Sequence, residues 1–234
     1  MNDRPRHGGE PLVWDLPLRI FHWGLVVLLA AAWVTQAAGT AWMRLHLWTG
    51  YALAVLVVFR VAWGFVGPRH ARFGQFVAGP AAVARYVSAW LAGRPPEAAG
   101  HNPAGGWSVL LMLGLVLGQV ATGMLNSDDA LYAGPWHYAV PERLADAAHE
   151  LHDDLFDVLL AVAAVHVAAV LAYRWRLGVD LVTPMVTGRR RGPGPGIAGS
   201  RLLRAALVLL GAIACVAAVV GLAPPPDPAD LGIY

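Results

Sequence analysis

The chain has 234 residues, of which 57% are hydrophobic and 14% charged, with a mean hydropathy of +0.53; a soluble domain carries about a quarter charged residues, so a water-soluble globule is excluded. Seventeen basic residues, all of them Arg, against fifteen acidic ones leave a net charge of +2, which excludes a broad nucleic-acid surface. The single Cys215 excludes an internal disulfide, a covalently attached haem and a cysteine-rich zinc or iron–sulfur centre, so any metal must draw on the nine His.

A helix needs about 20 mostly apolar residues to cross a hydrocarbon core of roughly 30 Å. The first such stretch, about 18–38, carries Arg19, His22 and Trp23 at its head and is longer than a secretory signal core. The second, about 45–66, holds His46 and Arg60 inside an apolar run. The connection 67–106 is too long for a bare loop, and its Val77-to-Leu91 portion has the spacing of a short amphipathic helix lying on the membrane surface. The third and fourth stretches cover about 107–126 and 152–174, the fourth with His152 and His166. Residues 189–201 read as a flexible basic linker, 202–222 as a plain lipid-facing fifth span, and 223–234 as a Pro-rich outer tail. Trp14, Trp42, Trp107, Trp136 and Trp175 lie near span ends, as an interfacial belt requires. The chain is therefore an all-α integral membrane protein.

Arg outside the spans sets the orientation. Fourteen, including Arg4, Arg6 and Arg19, the four of 67–106 and the seven from Arg174 to Arg204, fall on one side, against Arg44 and Arg143 on the other. That places the N-terminus in the cytoplasm and the C-terminus outside.

The histidines follow. His152 and His166 are 14 residues apart, a separation of almost four helical turns that returns to nearly the same face about 21 Å away. His149 points about 100° from His166 and is the weaker outer candidate. With alternating span directions, His22 shares a depth with His166 and His46 with His152. Two such pairs, with no cysteine ligand, suit two non-covalent, bis-His haem b groups engaged in electron transfer. Zinc or copper would want three or four ligands at one point. Arg19 and Arg60 either snorkel to the interface or pair with haem propionates. His101, in a His-Asn-Pro turn, reads as a loop or helix-cap residue, and His7, His70 and His137 as surface residues.

Val13-Trp14-Asp15-Leu16-Pro17-Leu18-Arg19-Ile20-Phe21-His22-Trp23, His46-Leu47-Trp48-Thr49-Gly50-Tyr51, Arg60-Val61-Ala62-Trp63-Gly64, His101-Asn102-Pro103-Ala104-Gly105-Gly106 and the His152/His166 pair resemble the bacterial cytochrome b561 family, of the nickel–iron hydrogenase cytochrome b type, over roughly 12–188. The resemblance implies a four-helix di-haem bundle, residues 1–188, with ligands on the first, second and fourth helices; the fifth span and the tail depart from that pattern. The function expected is single-electron transfer in the bacterial inner membrane between the quinone pool and a redox partner protein: a hydrogenase, a dehydrogenase or a c-type cytochrome. The alternatives are a membrane anchor subunit and a His-containing transporter. Small residues of the fifth span, Gly211, Ala212, Ala214, Ala217, Ala218 and Gly221, would admit a partner helix or a second copy of the chain, a homo-oligomer.

Overall fold

The computed structural model describes residues 10–96, 98, 100–128, 131–192 and 195–226; Arg4, Arg6, His7 and most of the Pro-rich tail lie outside the described residues. Helices are α1 Leu16–Ala37, α2 Met43–Val66, α3 Phe73–Phe76, α4 Pro80–Leu91, α5 Pro103–Gly123, α6 Glu142–Leu177, α7 Val182–Thr187 and α8 Leu202–Gly221. Five of them, α1, α2, α5, α6 and α8, are long and apolar enough to cross a membrane. The chain is an all-α membrane protein, with no β-strand among the described residues. Exposed Val27, Leu203 and Leu207 leave the kind of apolar surface that lipid covers and water would not tolerate.

Helix starts follow from local chemistry. Asp15 accepts the Leu18 N–H at 3.0 Å and caps α1. Asn102 accepts the Gly105 N–H at 2.7 Å, with Pro103 as the first residue of α5. Asp180 accepts the Val182 and Thr183 N–H groups ahead of α7. The 36 residues of α6 span about 54 Å, well beyond the expected 152–174. Nothing between Glu142 and Leu151 breaks a helix, and Ala145 and Ala148, one turn apart, are buried, so the connection ahead of the expected span is helical from Glu142 on.

Two compact units form. One comprises residues up to 22, 60–110 and 164–206; the other comprises 23–59, 111–163 and 207 onward. In the first, the segment ahead of α1 is held by the residues after α7: Val13 and Trp14 donate to the Gly188 carbonyl at 2.8 and 3.1 Å, and Ile197 donates to Leu12 at 2.8 Å. Gly188, at φ +83°, ends α7 in the left-handed conformation that glycine adopts without strain. At the start of the 189–201 stretch, Arg189 also donates to the Glu10 carbonyl at 2.9 Å. The amphipathic connection holds α3 and α4; α4 buries Tyr86, whose hydroxyl meets that of Tyr173 in α6 at 2.7 Å.

In the second unit, Val57 of α2, Val116 of α5 and Leu159 of α6 form a buried core, with Leu25 and Leu29 of α1 packed against it. Four helices therefore share one core there.

The fifth span is not plainly lipid-facing. Ala205, Ala212 and Val216 fall on one face of α8 and are buried. Within the second unit, Trp136 donates its indole N–H to Val219 of α8 at 3.0 Å. Within the first, Arg204 in the opening turn of α8 donates to Val66 at 3.0 Å. Ala212, one of the small residues expected to admit a partner helix, is spent on packing within the chain.

Candidate functional site

In the second unit, His46 near the start of α2 and His152 of α6 face one another with ring centres 6.3 Å apart and planes at 74°. Each ring is held by its Nδ1. His46 Nδ1 meets the Ala32 carbonyl of α1 at 2.9 Å, and His152 Nδ1 meets Thr122 Oγ1 of α5 at 3.1 Å. In each ring this leaves Nε2 as the remaining lone-pair nitrogen.

A cavity of about 480 Å³ adjoins the two rings, lined by Gly50, Leu53, Gln119, Gly123 and Phe156 among others. Gly50, one turn beyond His46, has no atom within 4 Å of where a Cβ would stand, so its missing side chain is open space in the cavity wall. At Gly123 a Cβ would come within 3.0 Å of His152 Cε1; glycine is what lets that ring seat against α5. His149 is exposed and bonded to Asn126 Oδ1 at 2.8 Å, outside the facing pair.

In the first unit, His22 of α1 lies within electrostatic reach of His166 of α6. Arg60 is 1% exposed, with its guanidinium 4.9 Å from the Phe73 ring centre and 5.9 Å from that of Phe76. It does not snorkel. Its Nη1 is buried with no hydrogen-bond partner, and the Asp15 carboxyl lies within electrostatic reach of the guanidinium. Arg19 donates through Nη1 to the Val186 carbonyl, and its buried Nε has no partner either. Gly64 makes the Arg60 arrangement possible: a Cβ there would lie 2.0 Å from Phe73 Cε2.

The histidine of the His-Asn-Pro turn is not a cap; Asn102 does that work. His101 instead packs at a tilt against Trp14, with ring centres 4.7 Å apart, and Phe76, 4.5 Å apart. Burial first, then the charges of Arg60, His70, His166 and His22, push its pKa down to about 3. Trp14 is 8% exposed, so it belongs to this cluster rather than to an interfacial belt. Trp42, Trp107 and Trp175 remain exposed. His70 bonds the Pro195 carbonyl at 3.0 Å and His137 the Leu125 carbonyl at 2.9 Å, so both are tied down rather than free on the surface. Sequence reasoning assigned no role to Thr122, Gly123, Phe73 or the Asp15–Trp63 pair. Only the glycines one turn from a histidine or arginine, Gly50 and Gly64, left a trace in the spacing.

These residues fit haem b. His46 and His152, with ring centres 6.3 Å apart and each Nδ1 already bonded, are the residues that would hold its iron in the second unit. In the second unit the open space at Gly50 gives a macrocycle room, and in the first the buried Arg19 Nε and Arg60 Nη1 are donors that a propionate could use. Among the described residues no cluster of three or more His, Cys, Asp or Glu could hold a bare metal ion.

Comparison with known proteins gives the same direction. The prokaryotic cytochrome b561 family matches residues 13–188. A probable Ni/Fe-hydrogenase B-type cytochrome subunit of Rhizobium leguminosarum bv. viciae is 24% identical over 211 residues, 76% of this chain and 87% of the relative. A probable Ni/Fe-hydrogenase 1 B-type cytochrome subunit of Escherichia coli (strain K12) is 28% identical over 156 residues, 55% of this chain and 66% of the relative. No solved structure matches. The matched region begins at Val13 and ends at Gly188, the two residues whose backbones bond to one another, and the chain belongs to the prokaryotic cytochrome b561 family.

Proposed function

We propose that the protein is a di-haem b cytochrome of the bacterial inner membrane that carries single electrons between the quinone pool and a redox partner protein. The hydrogenase named in both relatives is the partner favoured. The observation that carries the reading is the His46–His152 pair, with ring centres 6.3 Å apart and each Nδ1 already bonded.

His46 and His152 would hold one haem and His22 and His166 the other, Arg60 and Arg19 meeting propionate charge. Haem b held by these imidazoles would supply a one-electron iron couple. The protein's own part is to fix and shield. Ala32 and Thr122 orient the two imidazoles of the second unit. Phe73 and Phe76 cover the Arg60 guanidinium, keeping water from a charge that would then act at full strength on a neighbouring anion. Val57, Val116 and Leu159 provide the apolar setting.

The proposed orientation, N-terminus in the cytoplasm, rests on Arg placement: among the described residues the second unit carries only Arg44 and Arg143. The test is a pyridine haemochrome assay on a well-incorporated preparation, with redox titration against a quinol analogue. Two acid-extractable haem b per chain and quinol-dependent reduction are expected. One haem or none would overturn the di-haem reading, and haems that quinol cannot reduce would overturn the quinone assignment.

A further inference from the structure

Thr122 stands apart among the residues around the facing histidines, being a buried hydroxyl with its single proton already committed. It is 8% exposed, and Oγ1 donates back along α5 to the carbonyls of Gly118 at 2.9 Å and Gln119 at 3.1 Å. With that proton spent on backbone oxygen, the contact of 3.1 Å with His152 Nδ1 has one consistent assignment: His152 Nδ1–H donates and Thr122 Oγ1 accepts. The Gln119 carbonyl also faces this ring and is itself an acceptor, so both groups there favour a protonated Nδ1. The next residue is Gly123, where a side chain would strike the same ring. Thr122 and Gly123 thus form a seat on α5 for an imidazole carried by α6.

We infer that Thr122 is a positioning residue, one that holds His152 in the Nδ1–H tautomer with Nε2 turned to the iron and tunes the reduction potential of the haem this pair would bind. The inference rests on the di-haem reading. A hydrogen bond accepted from the distal nitrogen of a ligating imidazole raises that ligand's basicity and fixes its orientation, and losing such a partner commonly costs about 10–100-fold in metal affinity or activity. A more basic ligand favours ferric iron. Removing the acceptor therefore moves the midpoint potential of that haem to a more positive value, and leaves the other haem where it was.

The experiment compares Thr122→Val, Thr122→Ala and Thr122→Ser as purified haem-loaded protein, by redox titration followed optically and by electron paramagnetic resonance. Val keeps the shape and removes the hydroxyl; Ser keeps the hydroxyl. The expected result is a positive shift, or selective loss, of one haem in the Val and Ala variants, with wild-type behaviour in Ser. Unchanged potentials in Val and Ala, or a Ser variant shifted as far as Val, would overturn the inference. Absence of low-spin haem from the wild type would instead overturn the di-haem reading, so the two failures are distinguishable.

Discussion

Trp63 donates its indole N–H to Asp15 Oδ1 at 3.1 Å, and the same oxygen accepts the Leu18 N–H at 3.0 Å. One buried acceptor thus caps α1 and tethers α2, with Asp15 1% and Trp63 0% exposed. Burial pushes the Asp15 carboxyl up, while the Leu18 amide, the Trp63 indole and the Arg60 charge pull it back. Asp15→Ala removes the cap and the acceptor that the Trp63 indole uses, each worth about 1–2 kcal/mol. Its thermal unfolding in detergent, followed by circular dichroism, should show a loss of about 2–4 kcal/mol. Asp15→Asn keeps the acceptor and should recover most of the loss. An Ala variant as stable as wild type would show that the shared acceptor is not what holds the two helices.

Gly64 is the counterpart on α2. A side chain there meets the Phe73 ring, so Gly64→Leu should displace Phe73 from Arg60 and cost about 1–3 kcal/mol. If Arg60 serves the haem of His22 and His166, that haem is weakened in the spectrum while the other persists. Equal loss of both haems would show a general folding defect.

The histidine pairs predict a pattern of loss. His22→Ala and His166→Ala should each remove, or convert to high-spin, one and the same haem, and His46→Ala and His152→Ala the other. His149→Ala should leave both low-spin, because its imidazole is engaged with Asn126. Difference spectra of the five variants decide it: a common haem lost in His22→Ala and His152→Ala contradicts the pairing.

His101 predicts an acid-sensitive fold. Its Nδ1 is buried without a hydrogen-bond partner, and its pKa is pushed down to about 3, against about 6.5 in the unfolded chain. The stability it contributes is therefore complete above pH 6.5 and is lost as pH falls from there toward 3, because the unfolded chain takes up a proton that the fold excludes. The slope is at most about 1.4 kcal/mol per pH unit. His101→Phe keeps the aromatic contacts with Trp14 and Phe76 and should flatten the profile between pH 6.5 and 5; equal acid slopes for variant and wild type would contradict this.

Packing of α8 predicts a contrast on one helix. Ala212, 2% exposed, has no room for growth, whereas Ile213 is 45% exposed. Ala212→Leu should lower the unfolding midpoint by the equivalent of about 1–3 kcal/mol and Ile213→Leu should leave it unchanged. A chain ending near Gly188 would lose the bonds from Trp136 and Arg204 along with this face, and should unfold at lower temperature. Equal tolerance of both substitutions would mean that α8 does not pack as described.

What the sequence determined by itself were the properties carried by one helix at a time. Composition and run length suffice for five spans because lipid demands about 20 apolar residues in unbroken helix. The His152/His166 relation was legible because 14 residues is a helical near-repeat. Even the reach of α6 was partly hidden, since polar residues from Glu142 onward continue a helix without marking it as membrane. Tertiary structure decided everything that needs two segments. It set the Nδ1 of His46 on Ala32 and that of His152 on Thr122, and buried Arg60 under Phe73 where Gly64 left room. It also closed Val13 onto Gly188 and turned one face of α8 inward. Such contacts join residues far apart in the chain and depend on side-chain shape and single hydrogen bonds, whereas hydrophobic periodicity reports only which face of a helix avoids water.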